Sequence, residues 1–201
     1  MVGGMNPSFR ARREQAISIA PLAPYNPLAA EIVIDNEGSL EDLETWGGED
    51  GFDLVLCHFV LQYRPAGLAD LQRLAGTLRP GGRLSVIAPN PAGAVLSRLV
   101  RQGPAAARDE LDRDSSETAI FQQVVRKIGY EQMHADLTAV GLEVVAQYGG
   151  RCANDLLVDD EAKHDAGFYS DLEQLELALC DREPFKRTGL FWQLVGERPL
   201  G

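Results

Sequence analysis

The stretch FDLVLCHFVLQYRPAGLADLQRLAGTLRPGGRLSVIAPN, residues 52–90, decides the fold. Its opening, residues 52–61, is a nearly unbroken apolar run, which a parallel strand buried on both faces requires. Pro65 is a good first helical residue. Leu68, Leu71, Leu74 (with Ala75) and Leu78 follow at helical spacing and predict one apolar helix face. Arg79-Pro80-Gly81-Gly82 ends that helix, and RLSVIAPN, residues 83–90, reads as a second buried strand. Strand, helix and strand with such short connections form a right-handed βαβ unit.

Outward from this unit the pattern repeats more weakly. Residues 8–18 read as a helix with Ser8 as its N-cap, and EIVID, 31–35, as a strand. Residues 103–118 are charged and aperiodic, which predicts a mobile loop or lid over the carboxyl ends of the two strands. Tyr130, Met133, Leu137 and Val140 form a helical stripe ended by Gly141, and LEVVAQY, 142–148, is a strand. Phe168, Leu172, Leu175 and Leu179 form another stripe, and GLFWQLVGE, 189–197, a last strand. The fold class is α/β, in one domain over residues 1–201.

Composition bounds the function. Of 201 residues, 45% are hydrophobic and 24% charged, a globular balance. The net charge of -11 opposes non-specific nucleic-acid binding, which relies on neutralising phosphates. No apolar run is long enough to span a membrane, and the N-terminus lacks a signal-peptide core. Cys57, Cys152 and Cys180 have no metal or disulfide-scaffold spacing, so a reduced cytoplasm is expected.

The segment 52–90, with its Leu78-Arg79-Pro80-Gly81-Gly82 punctuation, resembles the fourth and fifth strands of class I S-adenosylmethionine-dependent methyltransferases. Gly149-Gly150-Arg151, Asp155, Leu157, Leu175-Glu176, Cys180, Glu183-Pro184 and Gly189 resemble the tRNA carboxymethoxyuridine methyltransferase group. The resemblance implies a Rossmann-like, mostly parallel sheet with helices on both faces, S-adenosylmethionine as cofactor and methyl transfer. It also implies a first strand and glycine loop ahead of Gly4, where three residues stand, so the domain is expected to be N-terminally truncated. Weak or absent cofactor binding is therefore expected of this chain. The bared edge of strand 54–57 is expected to be repaired by EIVID, or by a second copy in a homodimer.

The resemblance also suggests site residues. Asn6 stands where the family's ribose-binding acid belongs, and Ser39 and Leu40 where the adenine is met. His58, at a strand end, is expected against the methionine part of the cofactor. Arg151, Asn154 and Asp155 are expected on the acceptor side, with Arg151 holding a substrate carboxylate and pointing into the cleft that His58 lines. His58 or Asp155 serves as base if the acceptor is a hydroxyl or amine. Cys57 and Cys180 read as core, Trp46 and Trp192 as packing, His134 and His164 as solvent-facing. No metal site is expected. The acceptor class is a small-molecule acid or a tRNA nucleotide. The alternative is a non-catalytic methyltransferase-like remnant acting as a partner or oligomeric scaffold.

Overall fold

The computed structural model describes residues 51–117 and 124–201, together with Leu40 and Leu43. Asn6, Ser39, the helix at 8–18, EIVID at 31–35 and Trp46 lie outside the described residues. A four-stranded sheet is built from β1 (Phe52–His58), β2 (Leu78–Pro89), β5 (Glu143–Gly150) and β6 (Phe191–Glu197), in the order β1-β2-β6-β5. β1 and β2 pair in parallel, and β6 pairs antiparallel with both β2 and β5. Three of these four strands thus run the same way, with the reversed strand inserted between two of them. The mostly parallel strand direction expected of the sheet thus holds, although two of the three pairings are antiparallel. The reason is that the last strand of the chain enters the sheet between β2 and β5 instead of adding to its edge.

The helix α1 (Ala69–Gly76) makes the crossover between β1 and β2, as the 3.6-residue spacing predicts, but it is shorter than read: Pro65 precedes it, and Arg79-Pro80-Gly81-Gly82 lies inside β2, whose backbone already pairs with β1 at Leu78. Leu71, Leu74 and Ala75 are buried against the sheet. The helix α4 (Tyr130–Ala139) packs against β5 and β6 through Met133 and Leu137. Gly141, at φ +85°, ends the stripe as read. One sheet face carries Cys57, Leu84, Val86, Ala88, Trp192 and Leu194 into this core. Trp192 is packing, as expected, and its indole N–H donates to the Ile128 carbonyl at 3.0 Å.

Three expectations are corrected. Residues 104–111 are not a loop but the helix α3 (Pro104–Leu111), paired with α2 (Pro91–Gln102). Proline at the first position, the run Ala105–Ala107 and a buried Glu110 explain it. Glu110 lies 2.9 Å from the Lys127 ammonium and 3.6 Å from Arg98. A charged run read as a mobile loop therefore hides an interior ion pair. The strand β3 (Ser115–Glu117) follows and pairs with β4 (Val124–Arg126). β1 ends at His58, short of residue 61, because Phe59 turns into left-handed backbone. The stripe on α5 (Ala166–Leu179) is only partly core: Leu172 is buried, while Phe168 and Leu175 are exposed. α2 went unread in the sequence, although Asn90-Pro91 announces it: the Asn90 side chain accepts from the Ala92 N–H at 3.1 Å. Among the described residues β1 pairs with β2 alone.

Candidate active site

Sheet register builds the floor of the site. His58 on β1 faces Ile87 on β2, Ile87 faces Gln193 on β6, and Gln193 faces Tyr148 on β5. These four residues form one row across the sheet, near the carboxyl ends of β1, β2 and β5. All four line a cleft of about 600 Å³. The crevice at the carboxyl ends of parallel strands is where ligands of such sheets bind. α5 forms the opposite wall through Tyr169, Leu172, Glu173 and Leu177.

Two non-glycine residues among those described have positive φ, Phe59 and Arg151, both at +56°. Both line the cleft. Backbone strain of this kind persists only where the surroundings impose it, and it concentrates at functional sites. Phe59 is pinned by an edge-to-face contact with Phe191 at 5.6 Å. Arg151 is pinned by Asp155. Its Nη2 donates to Asp155 Oδ1 at 2.7 Å, and its Nε lies 2.7 Å from Oδ2. With its amide oxygen turned to the guanidinium, Asn154 accepts from Nη2 at 3.1 Å and Nε at 3.3 Å. Asp155 itself is 6% exposed.

This side-on pair uses one edge of the guanidinium. The group has five N–H donors in a fixed fork, so its end remains able to meet a second carboxylate. Arg151, Asn154 and Asp155 are thus brought together as read, Arg151 shares the cleft with His58, and Asp155 stands behind Arg151. The Leu40 side chain packs, half-buried, against the core cluster.

The His58 ring is tied to the sheet. Its Nε2 is 2.8 Å from Ser85 Oγ, which also accepts from the Gln193 amide at 2.7 Å. Burial lowers its pKa below the ordinary value, which keeps the ring neutral. Glu176 fixes the other wall: its carboxylate accepts from the backbone N–H groups of Cys152, Ala153 and Asn154 at 2.7–2.9 Å. These bonds clamp α5 to the turn that carries Arg151. Cys180, read as core, is half-buried and lines the cleft, because α5 sets that edge toward the sheet opening. Cys57 is core, and burial raises its thiol pKa to about 12. His164 is exposed, and His134 is half-buried against the Tyr130 ring at 6.0 Å. Sequence reasoning missed Ser85 and Gln193. Their signal was a lone polar residue inside each apolar strand, because a buried polar group needs a partner.

Comparison with known proteins places this geometry. No family model matches the chain. It is 26% identical over 151 residues to the tRNA 5-carboxymethoxyuridine methyltransferase of Escherichia coli K12, covering 75% of this chain and 56% of the relative. A putative S-adenosylmethionine-dependent methyltransferase of Listeria monocytogenes superposes with a TM-score of 0.52 at 11% identity, covering 84% of this chain and 70% of the other. The chain has the fold of a class I S-adenosylmethionine-dependent methyltransferase. A Mesorhizobium loti methyltransferase of the same kind matches with a TM-score of 0.46 and 15% identity, over 75% of this chain and 63% of that one. The chain spans little more than half the length of the curated relative it matches.

The residues of the cleft could hold the sulfonium of that cofactor. A neutral His58 does not repel a sulfonium, and the rings of Phe59 and Phe191 offer an apolar wall. Among the described residues no cluster of three His, Cys, Asp or Glu side chains is placed to hold a metal, and no helix is long and apolar enough to cross a membrane.

Proposed function

We propose that the protein is an S-adenosylmethionine-dependent methyltransferase acting on an acid, either a small molecule or a tRNA nucleotide. The observation that carries this reading is Arg151, held side-on by Asp155 at a strained position on the cleft wall. Such a residue presents a fixed fork to a carboxylate without searching for its orientation. The tRNA 5-carboxymethoxyuridine methyltransferase of E. coli supports the same acceptor class. When bound, the cofactor supplies a methyl group already activated on a sulfonium. His58 and Phe59 would hold that end of it. Arg151 and Asn154 would orient the acceptor, and the apolar wall of Phe59, Leu172, Leu177 and Phe191 would keep water out. A cytoplasmic location accords with a tRNA or metabolite substrate.

The test uses S-adenosylmethionine labelled in its methyl group, with unfractionated bacterial tRNA and a panel of small carboxylic acids. Label should pass to one of these in a linkage released as methanol by mild alkali, as a methyl ester is. Label that resists alkali would overturn the acid acceptor. Transfer to none of them, by protein shown in calorimetry to bind the cofactor, would overturn the reading as a whole. Calorimetry also measures how well this chain holds the cofactor.

A further inference from the structure

The row across the sheet contains more than a cleft floor. His58 and Gln193 flank Ile87 from the two neighbouring strands, so their side chains share its face. Ser85 lies two residues before Ile87 on that face and is fully buried. His58 and Gln193 both reach it diagonally, at 2.8 Å and 2.7 Å.

We propose that Gln193 and Ser85 hold His58 as the tautomer protonated on Nδ1, which makes its remaining ring nitrogen a hydrogen-bond donor and not a base. The argument is a proton count. The Gln193 amide donates to Ser85 Oγ and so fills an acceptor site. The Ser85 hydroxyl keeps one proton to give. Among the described residues, the other group within hydrogen-bond distance of that hydroxyl is His58 Nε2. If Nε2 carried a proton, Ser85 would face two donors and its own proton would have no acceptor among the described residues, at a hydroxyl that is fully buried. Nε2 therefore accepts from Ser85, and the ring proton sits on Nδ1. A lowered His58 pKa agrees with a neutral ring.

The consequence concerns the acceptor, and this part rests on the methyltransferase reading. A ring with Nε2 occupied and Nδ1 protonated cannot take a proton from a hydroxyl or an amine. It can donate to an oxygen that arrives already ionised. Together with the Arg151 fork this selects a carboxylate over an alcohol. Ser85 and Gln193 are then positioning residues that act through His58.

The experiment is a long-range proton–nitrogen correlation spectrum of the nitrogen-15-labelled full chain near neutral pH. The chain has 3 histidines, so His58→Gln assigns the His58 signals by their loss. Nδ1 should resonate in the protonated range and Nε2 in the unprotonated range. The reverse pattern, or a charged ring, would overturn the relay. Ser85→Ala should shift the ring toward the Nε2-protonated form that free histidine prefers, while Ser85→Thr should keep the wild-type pattern. If Ser85→Ala does not fold, the wild-type and Ser85→Thr spectra still decide. Phenoxyacetate is then titrated as an aromatic acid, with phenoxyethanol as its neutral counterpart. Phenoxyacetate alone should shift the Nδ1 signal. Equal shifts with both, or none with either, would overturn the carboxylate preference. Failed methyl transfer alongside an Nδ1-protonated ring would sink the functional reading and leave the relay standing.

Discussion

Arg151 carries two roles that mutation can separate. Its left-handed backbone shapes the turn, and its side chain lines the cleft, where the proposed function has it meet the acceptor. Arg151→Ala should raise the Michaelis constant for the acceptor roughly ten- to hundredfold, which corresponds to about 1.5–3 kcal/mol for a charged hydrogen bond. The constant for the cofactor should hardly move. Steady-state kinetics with each substrate varied in turn would check this. Equal effects on both constants, or a lower melting temperature with normal kinetics, would make Arg151 structural. Arg151→Lys should recover only part of the loss, because a lysine has no fork. Glu110 gives a contrasting case far from the cleft. Its carboxylate is 3% exposed, and Lys127, its nearest cation among the described residues, is also mostly buried. Glu110→Ala should cost about 3 kcal/mol of stability in urea titration, since it strands a cation in the interior. A change under about 0.5 kcal/mol would show the pair to be surface-like.

At the level of elements, α5 shows why a helical stripe is not always a core stripe. Leu172 is buried and touches the cleft, while Phe168 and Leu175 remain open. Leu172→Ala should therefore cost about 2–4 kcal/mol. Phe168→Ser and Leu175→Ser should each stay within about 0.5 kcal/mol. Denaturant unfolding of the three variants checks this, and similar losses at all three would restore the sequence-based stripe. α2 offers a second test. A Cβ on Gly93 would lie 2.1 Å from the backbone carbonyl oxygen of Gly189, just before β6. Backbone cannot yield as a side chain does, so Gly93→Ala should push α2 away from the Gly189–Leu190 backbone and lower the melting temperature sharply. An unchanged melting temperature would show that the helix can shift cheaply.

For the whole molecule, the ionisable groups predict a stability maximum near neutral pH. Burial lowers the His58 pKa from its ordinary 6.5, so the unfolded chain binds the proton more readily. Stability should fall as pH drops through that value. Asp70 has its pKa lowered from 3.8, chiefly by the hydrogen bond from Arg64, and its contribution is present above that value and lost further into acid. Burial raises Cys57 to about 12 and Cys152 to about 11, from 9.0. Above that ordinary value unfolded thiols ionise while folded ones stay protonated, so stability should fall again. Urea midpoints at about pH 5.5, 7.5 and 9.5 should trace this maximum, and His58→Gln should flatten its acid side. An acid side unchanged in His58→Gln would remove His58 from the account.

What the sequence determined by itself was local. The apolar run at 52–61, the helical spacing before Leu78 and the stop at Gly141 each act within a few residues; α4 and β5 formed where they were read, and β1 and α1 formed within their read bounds but shorter. The clustering of Arg151, Asn154 and Asp155 was legible for the same reason, since one turn holds all three. Tertiary structure decided the rest. Insertion of β6 between β2 and β5 aligned His58, Ile87, Gln193 and Tyr148 across four strands. Ser85 meets partners 27 and 108 residues away, and no local pattern encodes that meeting. Glu110 went inside and Phe168 stayed outside because burial depends on which surface an element meets, and periodicity only says which side of it is apolar.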